Sequence, residues 1–225
     1  MIMSHSFANR TEAGRLLAAR LIHLKSSRPL ILALPRGGVP VAFEIAKAFG
    51  AELDLMMVRK LGAPGHPEFG IGAIVDGEPP QLVLNDGAMA LTGADTDYLE
   101  EEKARQLKEL ERRRRAYLGS RPKPQIAGRT VVIVDDGVAT GATISAAMRG
   151  VRQAGPARIV LAIPVAPRDT AARLRAMCDE LVVLELPEPF FSVGQHYDDF
   201  SQTSDDEVIR LLAMSQVPGA GPPLG

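Results

Sequence analysis

The stretch Val131–Thr143 reads VVIVDDGVATGAT, and its order of residue types decides the fold. Four apolar residues without polar alternation are typical of a strand that is buried on both faces of a parallel sheet. Two carboxylates follow, and a loop of small residues with two threonines then runs into a helix predicted for Ala142–Ala154. The segment therefore indicates a strand–loop–helix unit of an α/β protein.

Strand and helix patterns alternate on both sides of this unit. The predicted strands are Leu30–Leu34, Leu53–Val58, Arg158–Pro164 and Leu181–Leu186, and the predicted helices are Pro40–Phe49 and Arg168–Met177. This alternation predicts an α/β fold with an open, mainly parallel twisted sheet and helices on both faces. Ligands of such sheets bind at the carboxyl ends of the strands.

Two stretches interrupt the alternation. Leu61–Phe69 is rich in glycine and proline, and this composition predicts a loop. Beyond it, Ile71–Val75 and Gln81–Leu84 predict a hairpin, and Thr96–Leu118 predicts a long, heavily charged helix. The hairpin and the helix together form a predicted insertion at about residues 71–120.

The segments outside the core predict one domain rather than two. Thr11–Leu24 has apolar residues at helical spacing, and Thr203–Ala213 predicts a short helix with acidic residues in its first turn. A single domain is expected over residues 1–215, with its core at about 30–186. The proline- and glycine-rich tail 216–225 is predicted to be disordered.

Composition excludes several classes of partner. The formal net charge is −1, so no global field attracts the chain to nucleic acid or to an anionic membrane. The lone Cys178 cannot form an internal disulfide. The first residues lack the pattern of a signal peptide, and no apolar run is long enough to span a bilayer, so a cytoplasmic protein is expected.

Arg112–Arg115 follow many glutamates and indicate an exposed, salt-bridged helix, or else an oligomer contact.

The loop after the acidic pair offers two kinds of polar group. Backbone N–H groups and the positive end of the helix dipole favour a phosphate, and Gly141 allows the backbone to approach closely. The carboxylates of Asp135 and Asp136 accept hydrogen bonds, which suits sugar hydroxyls or a hydrated cation. Ribose 5-phosphate combines these two features. Acidic pairs at strand ends also occur in receiver domains and metal-assisted phosphatases, and some are only loop caps.

Val131–Thr143 resembles the motif by which type I phosphoribosyltransferases bind 5-phosphoribosyl-1-diphosphate (PRPP): four apolar residues, two acidic residues and a loop ending Thr-Gly-x-Thr. The resemblance implies the type I fold, with the acidic pair holding the ribose hydroxyls and the loop cradling the 5′-phosphate. The residues implied to contact PRPP are Asp135, Asp136, Gly137, Val138, Ala139, Thr140, Gly141, Ala142 and Thr143. Mg²⁺ is the implied cofactor, held mainly by PRPP, with Asp135 or Asp136 contributing directly or through water.

Other loops fit the same resemblance. Leu34–Val39 looks like the family's diphosphate-binding loop, and a basic residue after the next strand commonly reaches the same group. The implied diphosphate ligands are Arg36, Gly37, Gly38, Arg59 and Lys60, of which Arg36 and Lys60 join Asp135 and Asp136 in the implied catalytic set. Leu61–Phe69 occupies the place of the family's flexible loop, where His66 or Glu68 could serve as a general acid or base, although such residues more often only face solvent.

The chain ends, at about residues 1–28 and 187–215, fit the hood that recognises the base in this family. The candidate base contacts are the aromatic side chains of Phe190, Phe191, His196 and Tyr197, which could instead form the core of a small lid. The 6-oxopurine enzymes carry an acidic residue where this chain has Ala139, which argues against hypoxanthine or guanine as the acceptor. Over its whole length the chain is similar to a bacterial group of predicted phosphoribosyltransferases.

The resemblance implies transfer of the 5-phosphoribosyl group from PRPP to a nitrogen of a nucleobase or similar heterocycle, with release of diphosphate. A homodimer is expected from the charged helix and from the habits of the family. Two alternatives remain open at this point. One is a non-catalytic regulator that senses PRPP or a nucleotide, and the other is a phosphoribosyl hydrolase or phosphorylase.

Overall fold

The computed structural model describes residues 6–85 and 87–215, except for the side chain of Glu68. The tail predicted to be disordered, 216–225, lies outside the described residues. In chain order the strands are β1 (Leu30–Ala33), β2 (Leu53–Leu55), β3 (Val58–Ala63), β4 (His66–Val75), β5 (Gln81–Leu84), β6 (Thr130–Val134), β7 (Arg158–Val165) and β8 (Glu180–Glu185). The helices are α1 (Arg10–Arg20), α2 (Gly38–Phe49), α3 (Ala88–Thr92), α4 (Thr96–Leu118), α5 (Ala142–Gln153), α6 (Arg168–Arg175) and α7 (Asp205–Met214).

Five strands form a parallel sheet in the order β2-β1-β6-β7-β8. Strand β6 lies in the middle, where Val132 pairs with Ile31 of β1 and with Val160 of β7. Its apolar residues are fully buried because helices cover both faces, which explains the absence of polar alternation. The predicted α/β fold is therefore confirmed.

Side chains of the central strands alternate between two hydrophobic layers. Ile31 and Val132 pack into the layer that also contains residues of α1, α2, α4 and α7. Leu32 and Ile133 point to the opposite layer, which contains residues of α5 and α6. Each layer is built from every second residue of the strands, as the two-residue period of a strand requires.

A second, antiparallel sheet has the order β3-β4-β5. The hairpin predicted from Ile71–Val75 and Gln81–Leu84 is confirmed as β4 and β5, but the prediction of a loop at Leu61–Phe69 is wrong. Strand β3 continues through Ala63, and β4 begins at His66, so that only two residues form the turn. Register shifts beside Gly62 let this glycine-rich stretch pair, and buried Leu61 and Ala63 anchor it.

The charged helix α4 has the predicted limits, and part of its predicted ion pairing is confirmed. Arg112 and Arg113 both pair with Glu109, at 2.8 and 2.7 Å. The prediction that Arg112–Arg115 are all exposed is wrong for Arg114, whose side chain is buried. Its guanidinium has partners on other elements, which compensates the cost of burying a charge.

Arg114 ties α4 to the edge of the main sheet. It donates two hydrogen bonds of 2.9 Å to the carboxylate of Asp54 in β2 and a third, of 3.0 Å, to Asp76 at the end of β4. Lys123 pairs with the other oxygen of Asp76 at 2.9 Å. Burial lowers the pKa of Arg114, but its pairing with both carboxylates outweighs this effect and leaves it raised. The two sheets are thus joined through one charged network.

The start of the described chain meets the segment that precedes α7. Phe7 forms a parallel β-bridge with Tyr197, and its N–H donates to the carbonyl of His196 at 2.8 Å. We call residues 7–10 and 193–201 the end segments. Helix α1 starts at Arg10 and a short 3-10 helix follows it, so the predicted helix Thr11–Leu24 is divided in two. Among the described residues no helix combines the length and the apolar character needed to cross a membrane.

Candidate functional site

The loops after β1 and β6 lie against each other because these two strands are neighbours in the sheet. A Cβ atom added at Gly37 would lie 1.9 Å from Oδ2 of Asp136. One added at Gly38 would lie 2.7 Å from the carbonyl oxygen of Val134. The glycine pair is required by this close approach, which brings the Arg36–Gly38 loop directly beside the acidic pair. The peptide bond between Pro35 and Arg36 is cis.

The two carboxyl groups of the acidic pair have different surroundings. Burial raises the pKa of Asp135 well above its ordinary value, and the adjacent charge of Asp136 raises it further. Its Oδ1 accepts a hydrogen bond from the N–H of Asp136 at 2.9 Å. Asp136 instead pairs with Nε of Arg10 at 2.8 Å. The carboxyl of Asp135 thus favours the protonated form, while that of Asp136 forms an ion pair with a guanidinium.

Arg10 connects the acidic pair to both end segments. Its Nη1 donates to the carbonyl of Ser201 at 2.8 Å, and its guanidinium lies 4.0 Å from the ring centre of Phe200. Tyr197 donates its hydroxyl hydrogen to the backbone carbonyl of Asp136 at 2.6 Å. The end segments are therefore fastened to the acidic pair by side-chain and backbone contacts.

Helix α6 supports the loop after the acidic pair from outside. The hydroxyl of Thr170 donates to the carbonyl of Ala139 at 2.9 Å, and Nη2 of Arg173 donates to the carbonyl of Thr140 at 3.4 Å. At Gly137, with φ of 154°, a Cβ would lie 2.4 Å from Val193. These contacts fix the loop between α6 and an end segment.

The start of α5 offers hydrogen-bond donors to a ligand. Gly141, with φ of 79°, turns the chain into the helix that begins at Ala142. The N–H groups of the first helical turn have no acceptor within the helix. The side chains of Thr140 and Thr143 are exposed beside them. This arrangement can hold an anion through backbone amides, two hydroxyls and the helix dipole.

Two neighbouring cavities contain the predicted basic residues. Arg36 and Arg59 line a cavity of about 460 Å³ together with Thr143. Arg59, Lys60 and Thr143 line another of about 640 Å³ between the small sheet and α5. Nη1 of Arg36 lies 3.5 Å from Oδ1 of Asp205 in α7, and Nε of Arg59 donates to Gln106 in α4 at 3.0 Å. Arg36 lies in the loop after β1, whereas Arg59 and Lys60 lie within β3 and not, as predicted, after a strand that ends at Val58. The basic residues of this loop and this strand therefore line cavities that Thr143, in the first turn of α5, also lines.

The candidate acid–base and aromatic residues are distributed differently. His66 is exposed at the start of β4, and the side chain of Glu68 lies outside the described residues. His196 is buried, its ring stacks on Phe190 at 5.6 Å, and its Nε2 has no hydrogen-bond partner within the described chain. Phe191 is 74% exposed.

Tyr197 belongs to the packing of the end segments. It is buried, and its ring contacts Phe7 at 5.4 Å and Phe200 at 5.1 Å between ring centres. Burial raises the pKa of its hydroxyl, and the charge of Asp136 raises it further. This tyrosine therefore holds an end segment in place and presents little ring surface to a ligand.

Three supporting residues were missed by sequence reasoning, namely Arg10, Thr170 and Arg173. Arg10 pairs with a residue 126 positions away, and no local pattern marks that contact. Thr170 and Arg173 are three residues apart in α6, so helical spacing puts them on one face, but only the sheet order places that face against the loop. The positions of these three residues beside the loop could be predicted only if the order of the strands were already known.

Fold and site together define a class of protein: a parallel α/β sheet whose central strand delivers an acidic pair and an anion-binding helix start. A family model described as phosphoribosyl transferase domain matches residues 8–199. The chain therefore belongs to the phosphoribosyl transferase domain family.

Individual relatives are similar over most of this chain. Two Mycobacterium tuberculosis proteins, named "Putative phosphoribosyl transferase MT0597" and "Putative phosphoribosyl transferase Rv0571c", are each 48% identical over 206 residues. The match covers 92% of this chain and 46% of each of theirs, so the chain spans about half the length of these curated relatives. The crystal structure of TT1426 from Thermus thermophilus is 47% identical, with a TM-score of 0.81 and coverage of 93% of this chain and 98% of that chain.

Proposed function

We propose that this protein binds PRPP and transfers its 5-phosphoribosyl group to a nitrogen of a nucleobase or similar heterocycle, releasing diphosphate. One observation carries the proposal. The Asp135–Asp136 pair adjoins both the Gly37–Gly38 turn and the loop that opens α5. A ligand with a vicinal diol between two anionic groups matches that order of donors and acceptors, and membership of the family supports the same ligand.

The roles of the acidic pair and its loop follow from their surroundings. Asp135 and Asp136 accept hydrogen bonds from the ribose 2′- and 3′-hydroxyls, and the loop Gly137–Thr143 binds the 5′-phosphate. Arg10 orients the carboxylate of Asp136 through their ion pair. Diphosphate binding is assigned to Arg36, Gly37, Gly38, Arg59 and Lys60.

Transfer requires the bond between C1 of the ribose and the diphosphate to break as the nitrogen approaches. The transition state has oxocarbenium character, so positive charge develops on the ribose and negative charge on the departing diphosphate. Arg36 and Lys60 stabilise the departing charge. Positioning of the two substrates, rather than a covalent intermediate on the protein, supplies most of the rate enhancement in this proposal.

The acidic pair fits Mg²⁺ only as part of a larger ligand set. Carboxylate oxygens are donors that Mg²⁺ prefers, but within the described part of the chain no group of three or more His, Cys, Asp or Glu side chains could hold a metal. Asp135 or Asp136 would therefore add one ligand, directly or through water, to an ion held mainly by PRPP. When bound, the ion neutralises charge on the diphosphate.

Residues for the acceptor are proposed on the stretch 190–197, which runs into an end segment, and on the small sheet. Phe190, Phe191 and His196 are the proposed contacts of the base, and Tyr197 supports the segment that carries them. His66 or Glu68 is the proposed proton acceptor. At the position where 6-oxopurine enzymes have an acidic side chain, this chain has Ala139. The proposed acceptor is therefore a base other than hypoxanthine or guanine.

The proposal is tested with Asp135→Asn/Asp136→Asn. Calorimetric titration of Mg²⁺-PRPP into wild-type protein should give saturable binding. The double variant should bind at least about 30-fold more weakly, because each amide replaces one carboxyl oxygen by an NH₂ group that cannot accept a hydrogen bond. Asp97→Asn, at an exposed position in α4, is the control and should bind like wild type. Unchanged affinity in the folded double variant would show that the acidic pair does not hold the ribose.

Turnover separates the proposed transferase from the alternatives. Wild-type protein is incubated with Mg²⁺-PRPP and a panel of nitrogen bases, and released diphosphate is measured. Release that depends on a base is expected. Binding without release would instead identify a PRPP-sensing regulator, and release that is independent of any base would identify a hydrolase or phosphorylase.

A further inference from the structure

The cavity beside Arg36 is also lined by α4, a helix that carries none of the residues assigned so far. Arg112 and Arg113 line it from α4, together with Arg36 and Arg59. Ala116 and Tyr117, one turn further along, line the same cavity. Four guanidinium groups from three separate stretches of the chain therefore surround one space.

We propose that Arg112 and Arg113 of α4 complete the diphosphate subsite, so that the inserted helix is part of the substrate site. The inference rests on the proposed function, since it names additional ligands for the leaving group of PRPP. It concerns residues outside the loops that resemble the family's motifs. The recognised chemistry is a diphosphate group, whether on PRPP or as the free product.

The charge around the cavity supports a polyanionic ligand. Among the described residues, four arginines line it, against one lining carboxylate, Asp205. Glu109, which lies outside the lining, pairs with both Arg112 and Arg113, so one carboxylate serves two guanidiniums. Even with both carboxylates counted, two positive charges remain in excess. The whole chain carries a net charge of −1, so this excess is local.

The buried side of α4 gives these arginines a fixed direction. Arg114, the next residue in the chain, is locked by its hydrogen bonds to Asp54 and Asp76. This contact fixes the rotation of the helix about its axis. Arg112 and Arg113 are therefore kept on the side of α4 that lines the cavity. Tyr117 adds a second restraint at the cavity, since its hydroxyl donates to Asp205 at 2.8 Å. A guanidinium pair presented in this way is suited to bidentate contact with phosphate oxygens.

The test compares three ligands by calorimetric titration at low salt: Mg²⁺-PRPP, Mg²⁺-diphosphate and ribose 5-phosphate. Arg112→Gln/Arg113→Gln should bind PRPP and diphosphate about 10- to 100-fold more weakly, the range expected for two partly screened charge-assisted hydrogen bonds. Binding of ribose 5-phosphate, which lacks the diphosphate, should change less than about twofold. The single variants give the same comparison if the double variant does not fold.

The matched control is Lys108→Gln/Arg115→Gln, which removes two exposed positive charges from the same helix but outside the cavity. It should bind all three ligands like wild type. The inference is wrong if Arg112→Gln/Arg113→Gln binds PRPP and diphosphate as tightly as wild type does. It is also wrong if this variant loses affinity equally for all three ligands, or if the control variant loses as much affinity as it does.

Failure of the proposed function gives a different pattern. If wild-type protein binds neither PRPP nor ribose 5-phosphate, but binds diphosphate in a way that depends on Arg112 and Arg113, the PRPP proposal is wrong and the subsite stands. Binding of PRPP that depends on Asp135 and Asp136 but not on the arginines leaves the function intact and removes the subsite. Absence of binding by all three ligands contradicts both.

Discussion

His196 shows at the scale of one residue how burial determines chemistry. Its ring is buried against Phe190, and its Nε2 has no hydrogen-bond partner in the described chain. Burial lowers the pKa of the imidazole, and the charge of Glu185 opposes the shift without reversing it. The neutral ring is therefore favoured in the folded protein, and a neutral imidazole can both donate and accept a hydrogen bond.

The lowered pKa of His196 predicts a dependence of stability on pH. The unfolded chain binds the proton at the ordinary pKa of about 6.5, whereas the folded chain binds it only at lower pH. The stability that comes from burying the neutral His196 ring is fully present above pH of about 6.5. It is lost as the pH falls from there through the pKa of the folded state, because the unfolded chain binds the proton first. His196→Gln should therefore show a smaller loss of unfolding free energy than wild type on acidification below pH 6.5, measured by urea unfolding. If the unfolding free energy of both proteins falls equally with pH, the ring is not buried in its neutral form.

At the scale of elements, α4 depends on one buried side chain. Replacing Arg114 by alanine leaves the carboxylate of Asp54 buried without its guanidinium partner, whereas Asp76 retains Lys123. Loss of one partner from a buried ion pair costs about 3–5 kcal/mol. We expect Arg114→Ala to lower the free energy of unfolding by about that amount in urea titrations, and Arg115→Ala, at an exposed position, to change it by less than about 0.5 kcal/mol.

A second substitution separates the charge from the packing of Arg114. Asp54→Asn/Arg114→Ala should recover part of the lost stability, because the unpaired carboxylate is then absent. A double variant as unstable as the sum of the two single variants would show that the packing of the arginine stem, rather than its charge, holds α4.

Elements of the main sheet could be predicted because their local pattern matches their environment. Val131–Val134 is apolar without alternation, and the parallel sheet buries it on both faces. The stretch Leu61–Phe69 could not be predicted in this way. Its glycines and prolines are typical of a loop, and its strand character comes from pairing between β3 and β4, a contact that is established only in the folded chain.

The candidate site was predictable to the extent that it is contiguous in sequence. Asp135–Thr143 is one loop, so the spacing of its residues already describes its geometry. Arg10 contacts Asp136, and Arg112 lines a cavity together with Thr143, but both come from distant parts of the chain, and no local pattern distinguishes them from solvated arginines. Sequence reasoning thus found the motif loops and missed the side chains that other elements bring to them.

In the whole molecule the two end segments meet each other beside the acidic pair that follows the central strand β6. Phe7 and Tyr197 pair across about 190 residues, and the N–H groups of Asp198 and Asp199 donate to carbonyls of residues 7 and 8 at 2.8 and 3.0 Å. Arg10 joins this contact to Asp136, and both side chains are less than 15% exposed. The closure of the end segments and the orientation of the acidic pair are therefore expected to change together.

Arg10→Gln tests this coupling without any ligand. The substitution removes the contacts with Asp136, Ser201 and Phe200, so the end segments should open more often. Amide hydrogen exchange at residues 7 and 197–199 should be faster by about tenfold or more, which is the effect of losing one hydrogen bond to a charged group.

Amides of the central sheet should exchange at the wild-type rate in the same Arg10→Gln sample, because local opening of the ends leaves the strands paired. Arg20→Gln, an exposed position at the other end of α1, is the matched control and should leave exchange in the end segments unchanged. Equal exchange in Arg10→Gln and Arg20→Gln would mean that the β-bridge and the aromatic packing close the ends without Arg10. Faster exchange in Arg10→Gln alone would make this one guanidinium the link between the closure of the ends and the orientation of Asp136.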